Sequence, residues 1–302
     1  FDAVRTWSPI AAENGQPAFT PAQVGNPDLG PERTRETEVG FDLSTLSSRA
    51  TISATYYAQH TFGALIPVTL PPSAGFTNTQ LENVGDLQNK RVELSVAADV
   101  LRLNDLTWNA RLNYTWVKST AGDLGGQIIP IETLSRTYVE QGYPVPSYFG
   151  NKVTNPNAFA DPIIQPNAYL GATYPSRIIS PSMTVTLWKN LTLDAIGEWQ
   201  LGGHLLNATA YQNAFLGVWQ PCYAVQDKLR AAANGDAGAL DDVTALQRAR
   251  CSINGATRDY AYWVEPSDFF KLRSITLTYA LPAHLTPNGM HYPKLYSAAT
   301  AT

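Results

Sequence analysis

Between Asp105 and Lys118 the chain alternates without a break. Leu106, Trp108, Ala110, Leu112, Tyr114 and Trp116 fall on one parity, and Thr107, Asn109, Arg111, Asn113 and Thr115 fall on the other. A two-residue period predicts a strand with one apolar and one polar face. The apolar parity has aromatics near both ends and small aliphatics between them. Lipid-facing strands of membrane barrels share that arrangement, with aromatic girdles at the interfaces and a polar lumen. A half-buried strand of a soluble sandwich also alternates, so this stretch alone leaves both open. The period recurs at 35–45 (Thr37, Val39, Phe41, Leu43), at 49–60 (Ile52, Ala54, Tyr56, Ala58) and at 89–101 (Val92, Leu94, Val96, Ala98). It recurs again at 177–188 (Ile179, Met183, Val185, Leu187), 191–201 (Leu191, Leu193, Ala195, Trp199) and 268–281 (Ile275, Leu277, Tyr279). With 106–118, seven strands are predicted.

The connections carry more information than any one strand. Short turns are predicted at 46–48, 102–105 and 189–190, and long segments at 61–88, 119–175 and 203–267. Short and long alternate, so an up-and-down sheet gathers its turns at one end and its long loops at the other. Outer-membrane barrels are built this way, with short periplasmic turns and long extracellular loops. Compact soluble domains rarely carry repeated loops of such length. The expected fold is therefore all-β: a partial, antiparallel, up-and-down transmembrane barrel across 1–302 with long extracellular loops. Residues 1–34 read as irregular loop, and Gly289–Thr302 shows no alternation that predicts a strand.

Composition points the same way. Charged residues make up 15% of the chain, against roughly 25% in ordinary soluble domains. There are 15 Tyr and 7 Trp, suited to membrane interfaces. No apolar run approaches the roughly 18 residues of a spanning helix, which a barrel does not need. The net charge is −4 with no basic block, so nothing points to nucleic acid. The chain opens Phe1-Asp2-Ala3 and not with the pattern of a leader, so a removed leader or a fragment is expected. An odd strand count in a class that favours even ones suggests a piece of a longer polypeptide.

Four stretches resemble the barrel of TonB-dependent outer-membrane receptors of the SusC/RagA class. Asn26–Asp42 (NPDLGPERTRETEVGFD) is similar to that family's approach to a strand. Asn83–Glu93 (NVGDLQNKRVE) resembles its "N.G…NKG.E" segment, with Arg91 where glycine is usual. Glu140–Gly150 (EQGYPVPSYFG) is similar to its "EGYP…S.FG" loop, and Asp268–Pro282 to its "F.KLR..TL.Y.LP" strand. The resemblance implies a bacterial outer-membrane importer of oligosaccharides or peptides. It implies a SusD-like surface lipoprotein as partner, and TonB acting on a plug. The plug would precede Phe1 and is absent from this chain. Other readings are a siderophore-type receptor, or a soluble β-rich adhesin or carbohydrate-binding module.

Within that frame Glu93, Asp99, Asn109, Arg111 and Asn113 are expected to face the lumen. Cys222 and Cys251 both fall in the longest loop, on an oxidising face, where a disulfide is plausible; two free thiols are the alternative. Tyr211, Trp219, Tyr260, Tyr262 and Trp263 in that loop are candidate contacts for substrate or partner, or else pack the loop on itself. Within the loop, 226–233 and 239–250 read as short helices. His60, His204, His284 and His291 have no metal-ligand spacing. No nucleophile elbow, phosphate loop or triad is found, so no enzyme, cofactor or metal is expected.

Overall fold

The computed structural model describes residues 3–11, 15–69, 73, 79–126, 128–132, 136–254, 258–282 and 294–300. The chain starts with a hairpin of β1 (Thr6–Ala11) and β2 (Pro17–Gln23), where the sequence predicted only loop. Its prolines conceal it. In a two-stranded ribbon every strand is an edge, so a proline can sit where no N–H is needed.

The strands β3 (Arg33–Thr45), β4 (Ala50–Thr69), β5 (Thr79–Arg102) and β6 (Leu106–Ala121) follow. Next come β7 (Ile129–Glu132), β8 (Thr137–Val139), β9 (Ser147–Val153) and β10 (Ile164–Ala172). After β11 (Arg177–Leu187) and β12 (Leu191–Leu201) stand β13 (His204–Leu206), α1 (Ala208–Phe215), α2 (Tyr223–Ala233), α3 (Ala245–Arg250) and β14 (Val264–Pro266). The described chain ends with β15 (Phe269–Ala280) and β16 (Lys294–Thr300).

Eight strands form one antiparallel meander in the order β16-β15-β12-β11-β6-β5-β4-β3. Seven are the predicted strands. The eighth, β16, corrects the reading of the last residues. It pairs Leu295 with Tyr279, Ser297 with Leu277 and Ala299 with Ile275. Its small side chains hide the alternation that its pairing reveals. The meander is open, with β3 and β16 as edges.

The short turns share one end of the sheet. Leu46, Ser47 and Ser48 all take positive φ, as do Trp188 and Lys189. The second pair turns the chain between Leu187 and Asn190, whose N–H donates to the Leu187 carbonyl at 3.1 Å. Positive φ at both central residues matches the right-handed twist of the flanking strands. At the opposite end β4 and β5 run far past their predicted limits, with a register shift at Gly63. At 20 and 24 residues, they are about twice the roughly 10 that a tilted strand needs to cross hydrocarbon.

The meander has little core of its own. Val39 (66% exposed), Phe41 (60%) and Leu112 (44%) lie on its apolar face, uncovered by the described residues. A soluble sandwich would bury this face against a second sheet. The cores lie in the loops instead. Ile66 and Val68 of β4, Ala121, Leu124 and Val139 form one, which seats the small sheet β10-β9-β8-β7 on the long ends of β4 and β5.

Gly85 belongs to this seat. A Cβ there would stand 2.6 Å from Ala64 Cβ and 2.8 Å from Ile66 Cδ1. Gly85→Ala is therefore expected to cost about 1–3 kcal/mol through overpacking, read as a lower thermal midpoint. Gly30→Ala, whose Cβ would meet only Asn83 Oδ1 at 3.9 Å, should leave the midpoint unchanged.

Candidate functional site

The polar face is built rung by rung from strand register. Glu93 lies between Thr55 and Thr115. Asn113 lies between Ser95 and Ser180, Arg111 between Ala97 and Ser182, and Asn109 between Asp99 and Thr184. Glu93, Asp99, Asn109, Arg111 and Asn113 thus share one face. Its side chains are tied to one another: Ser95 Oγ donates to Asn113 Oδ1 at 2.8 Å and Thr184 Oγ1 to Asp194 Oδ1 at 2.6 Å. Glu93 pairs with Arg91, Asp99 with Arg102 and Glu198 with Arg273. A hollow of about 430 Å³ opens among Arg49, Thr51, Asp99, Asn109, Arg111 and Thr184. Such a surface offers donors and acceptors of both signs to a polar solute. The opposite face carries Val92, Leu94, Val96, Leu112, Tyr114 and Trp116 in the same register.

The loop 203–267 is a small folded unit. Asn207 caps α1, its Oδ1 accepting from the Ala210 N–H at 3.0 Å. Thr244 and Gln247 make a reciprocal capping box on α3, which satisfies two end groups at once. Cys222 and Cys251 are bonded, with Cα atoms 5.3 Å apart. Around them pack Ala210, Ala214, Val225, Val243, Ala249, Tyr262 and Trp263. Arg250 sits 5.2 Å over the Trp263 ring and bridges to Glu265 at 2.8 Å. Tyr262 (8% exposed) and Trp263 (4%) are thus core residues of the loop, the second of the two readings the sequence left open for them. Tyr211 stacks on Tyr260 at 3.7 Å, and Trp219 meets the edge of Trp263 at 6.4 Å. Phe215 and Tyr223 keep about half their surface open.

These tertiary ties escaped sequence reading. Asn151 Nδ2 donates to Asp259 Oδ2 at 2.7 Å and joins the two largest loops. The helix α1 went unpredicted. The long stretch read as a helix over 239–250 narrows to α3, because Gly238–Asp242 forms turns. No group of three or more metal-ligating side chains occurs among the described residues. His284 and His291 lie outside them.

A TonB-dependent receptor-like β-barrel family model matches residues 3–263. The chain belongs to that family. It is 31% identical over 127 residues to the TonB-dependent receptor P39 of Formosa agariphila, a match covering 42% of this chain and 12% of that receptor. It is 31% identical over 103 residues to the TonB-dependent receptor SusC of Bacteroides thetaiotaomicron, covering 32% of this chain and 10% of that one. Two solved structures share the fold along the whole chain at 18% identity. They are the RagAB peptide transporter, with a TM-score of 0.71 over 36% of that chain, and the RagAB peptide importer in its open-open state, with 0.74 over 35%. The chain therefore spans about a third of the length of those two RagAB chains. Within this barrel family, the eight-stranded meander is the barrel wall and 203–267 one of its folded loops.

His204 at the base of that loop has a buried Nδ1 without a partner. Burial lowers its pKa, and the charge of Asp268 opposes the shift only in part. A histidine whose folded pKa is depressed adds stability that is full above its unfolded pKa and is lost as pH falls through the folded one. Hydrogen-exchange protection of 203–267 should accordingly fall as pH drops below about 6.5, and His204→Gln should flatten that dependence. Replacing both cysteines by alanine, across a separation of 29 residues, should remove roughly 3–4 kcal/mol of constraint. Limited proteolysis confined to 203–267 would report it, with the meander intact.

Proposed function

We propose that this chain is part of the wall of a transmembrane barrel that imports oligosaccharides or peptides across a bacterial outer membrane. The observation that carries the reading is the two-faced meander, whose apolar side has no protein cover among the described residues. Water cannot cover so large an apolar surface cheaply, and hydrocarbon can. In hydrocarbon every backbone polar group must find a partner, which only a helix or a closed barrel provides. Further strands would then pair with β3 and β16 to close the wall.

In this reading Glu93, Asp99, Asn109, Arg111 and Asn113 line the lumen. Transport is passage along a polar wall past a plug, without bond chemistry. Peptide cargo has the support of the shared fold with the RagAB peptide transporter; oligosaccharide cargo rests on what the resemblance of the four stretches to the SusC/RagA class implies. A SusD-like surface lipoprotein would deliver cargo at the loop end, and TonB would act on the plug from the turn end. The loops near the lipoprotein would be the rigid, disulfide-bonded 203–267 unit and the sheet β7–β10.

Two substitutions in the complete receptor test the faces. Leu112→Arg should destabilise by about 2–4 kcal/mol at mid-bilayer, while Asn109→Arg should cost little. The thermal transition of the heat-modifiable gel band reads both. Uptake of labelled oligopeptides and oligosaccharides by cells carrying the receptor tests the cargo. Uptake of one class should stop when a protonophore collapses the proton-motive force; uptake unaffected by the protonophore would refute TonB-driven import.

A further inference from the structure

The apolar face carries a row of cations at its loop end. Register places Lys90 of β5 directly opposite Lys118 of β6. One rung nearer the turns, Tyr56, Val92, Trp116 and Arg177 lie side by side on β4, β5, β6 and β11. One rung further out, Arg35 of β3 lies opposite His60. No register shift interrupts these rungs, so all four cations share the parity of the apolar residues. All four are exposed. None has an ion pair or a side-chain hydrogen bond among the described residues. The nearest acid of the same parity, Asp86, is held by His60.

This row differs from the polar face, where Arg91 and Arg273 are each matched by a carboxylate of the wall. Directly opposed like charges stand about 5 Å apart at Cβ and destabilise a sheet. A fold keeps Lys90 beside Lys118 at no loss when an anion from the surroundings lies between them. Arg177 lies on the rung of Tyr56 and Trp116 and Lys90 and Lys118 one rung beyond it, at the depth where aromatics mark the interface. Lysine stems can lie along apolar surface with their ammonium groups at the headgroups, and a compact ammonium is a good partner for phosphate. Basic clusters beside a membrane recruit anionic lipid in this way.

We propose that Lys90, Lys118, Arg177 and Arg35 form a docking strip for the phosphates of lipid headgroups in the leaflet at the loop end. The strip rests on the reading of the apolar face as lipid-facing. It would hold the barrel at a fixed depth and order lipid against β5, β6 and β11.

The test uses the complete receptor in detergent, titrated with diphosphorylated lipid A, with its dephosphorylated form and with inorganic phosphate, and read by native mass spectrometry. The wild type and a Lys90→Arg/Lys118→Arg variant should retain the phosphorylated lipid. Lys90→Gln/Lys118→Gln should bind it about thirtyfold more weakly, from the loss of two surface cations, with an unchanged heat-modifiable band. Dephosphorylated lipid should bind weakly to all. Equal binding of phosphorylated lipid by the glutamine variant, or of both lipid forms by the wild type, would overturn the strip. Displacement by equimolar inorganic phosphate would assign the site to a soluble anion and overturn the lipid. Tolerance of Leu112→Arg would instead remove the lipid-facing reading and the strip with it. A receptor that rejects Leu112→Arg yet binds lipid unchanged in the glutamine variant loses the strip alone.

Discussion

A slip of one residue in any pairing of the meander would carry every apolar side chain of that strand to the other face. Register is therefore the constraint on which the structure depends. It holds across most of the pairings, from Val39 opposite Tyr56 on β3 and β4 to Leu277 opposite Ser297 on β15 and β16. It shifts near Gly63 where β4 meets β5, at Val100 of β5, and at Arg273 of β15 opposite Gly197. The turns help to hold it. Left-handed residues at 46–48 and 188–189 set how the strands leave each short connection, and a connection of that length leaves little room for an alternative pairing.

The loops are stabilised differently. They have cores in the soluble-protein sense, with Leu124, Val243, Cys222 and Ser147 fully buried. Contacts distant in sequence assemble them: Asn151 with Asp259, Arg248 with Asp161, and the bond between Cys222 and Cys251. The molecule thus joins a wall that meets its surroundings on both faces to loops that bury their own apolar groups. In the proposed barrel, a polar solute entering at the loop end would meet folded, disulfide-bonded structure first and the mixed charges of Glu93, Asp99 and Arg111 afterwards.

The wall was legible in the chain because alternation is a local signal. Leu106 to Trp116 needs no distant partner to be read as two-faced, and the parity of Asn109, Arg111 and Asn113 follows directly. β16 was not legible, since only its pairing with β15 distinguishes it from a run of small residues. The sheet β7–β10 and the helix α1 were equally hidden. Their strands and turns are short, and residues from other parts of the chain complete their packing, as Asn151 of β9 with Asp259 and Val153 with the core around Ala210 of α1. Tyr262 and Trp263 show the same divide. Their type marks them as energetic residues, but whether that energy goes into a partner or into the loop's own core depends on Cys251, Val243 and Arg250 arriving from elsewhere in the chain.

The most direct measurement is a spin-label scan over residues 106–118 in the complete receptor reconstituted in lipid, comparing collisions with oxygen and with a water-soluble nickel chelate. Oxygen access should peak at 108, 110, 112 and 114, and nickel access at 109, 111 and 113, in strict alternation. Equal nickel access on both parities would contradict the assignment of this chain to the wall of a membrane barrel.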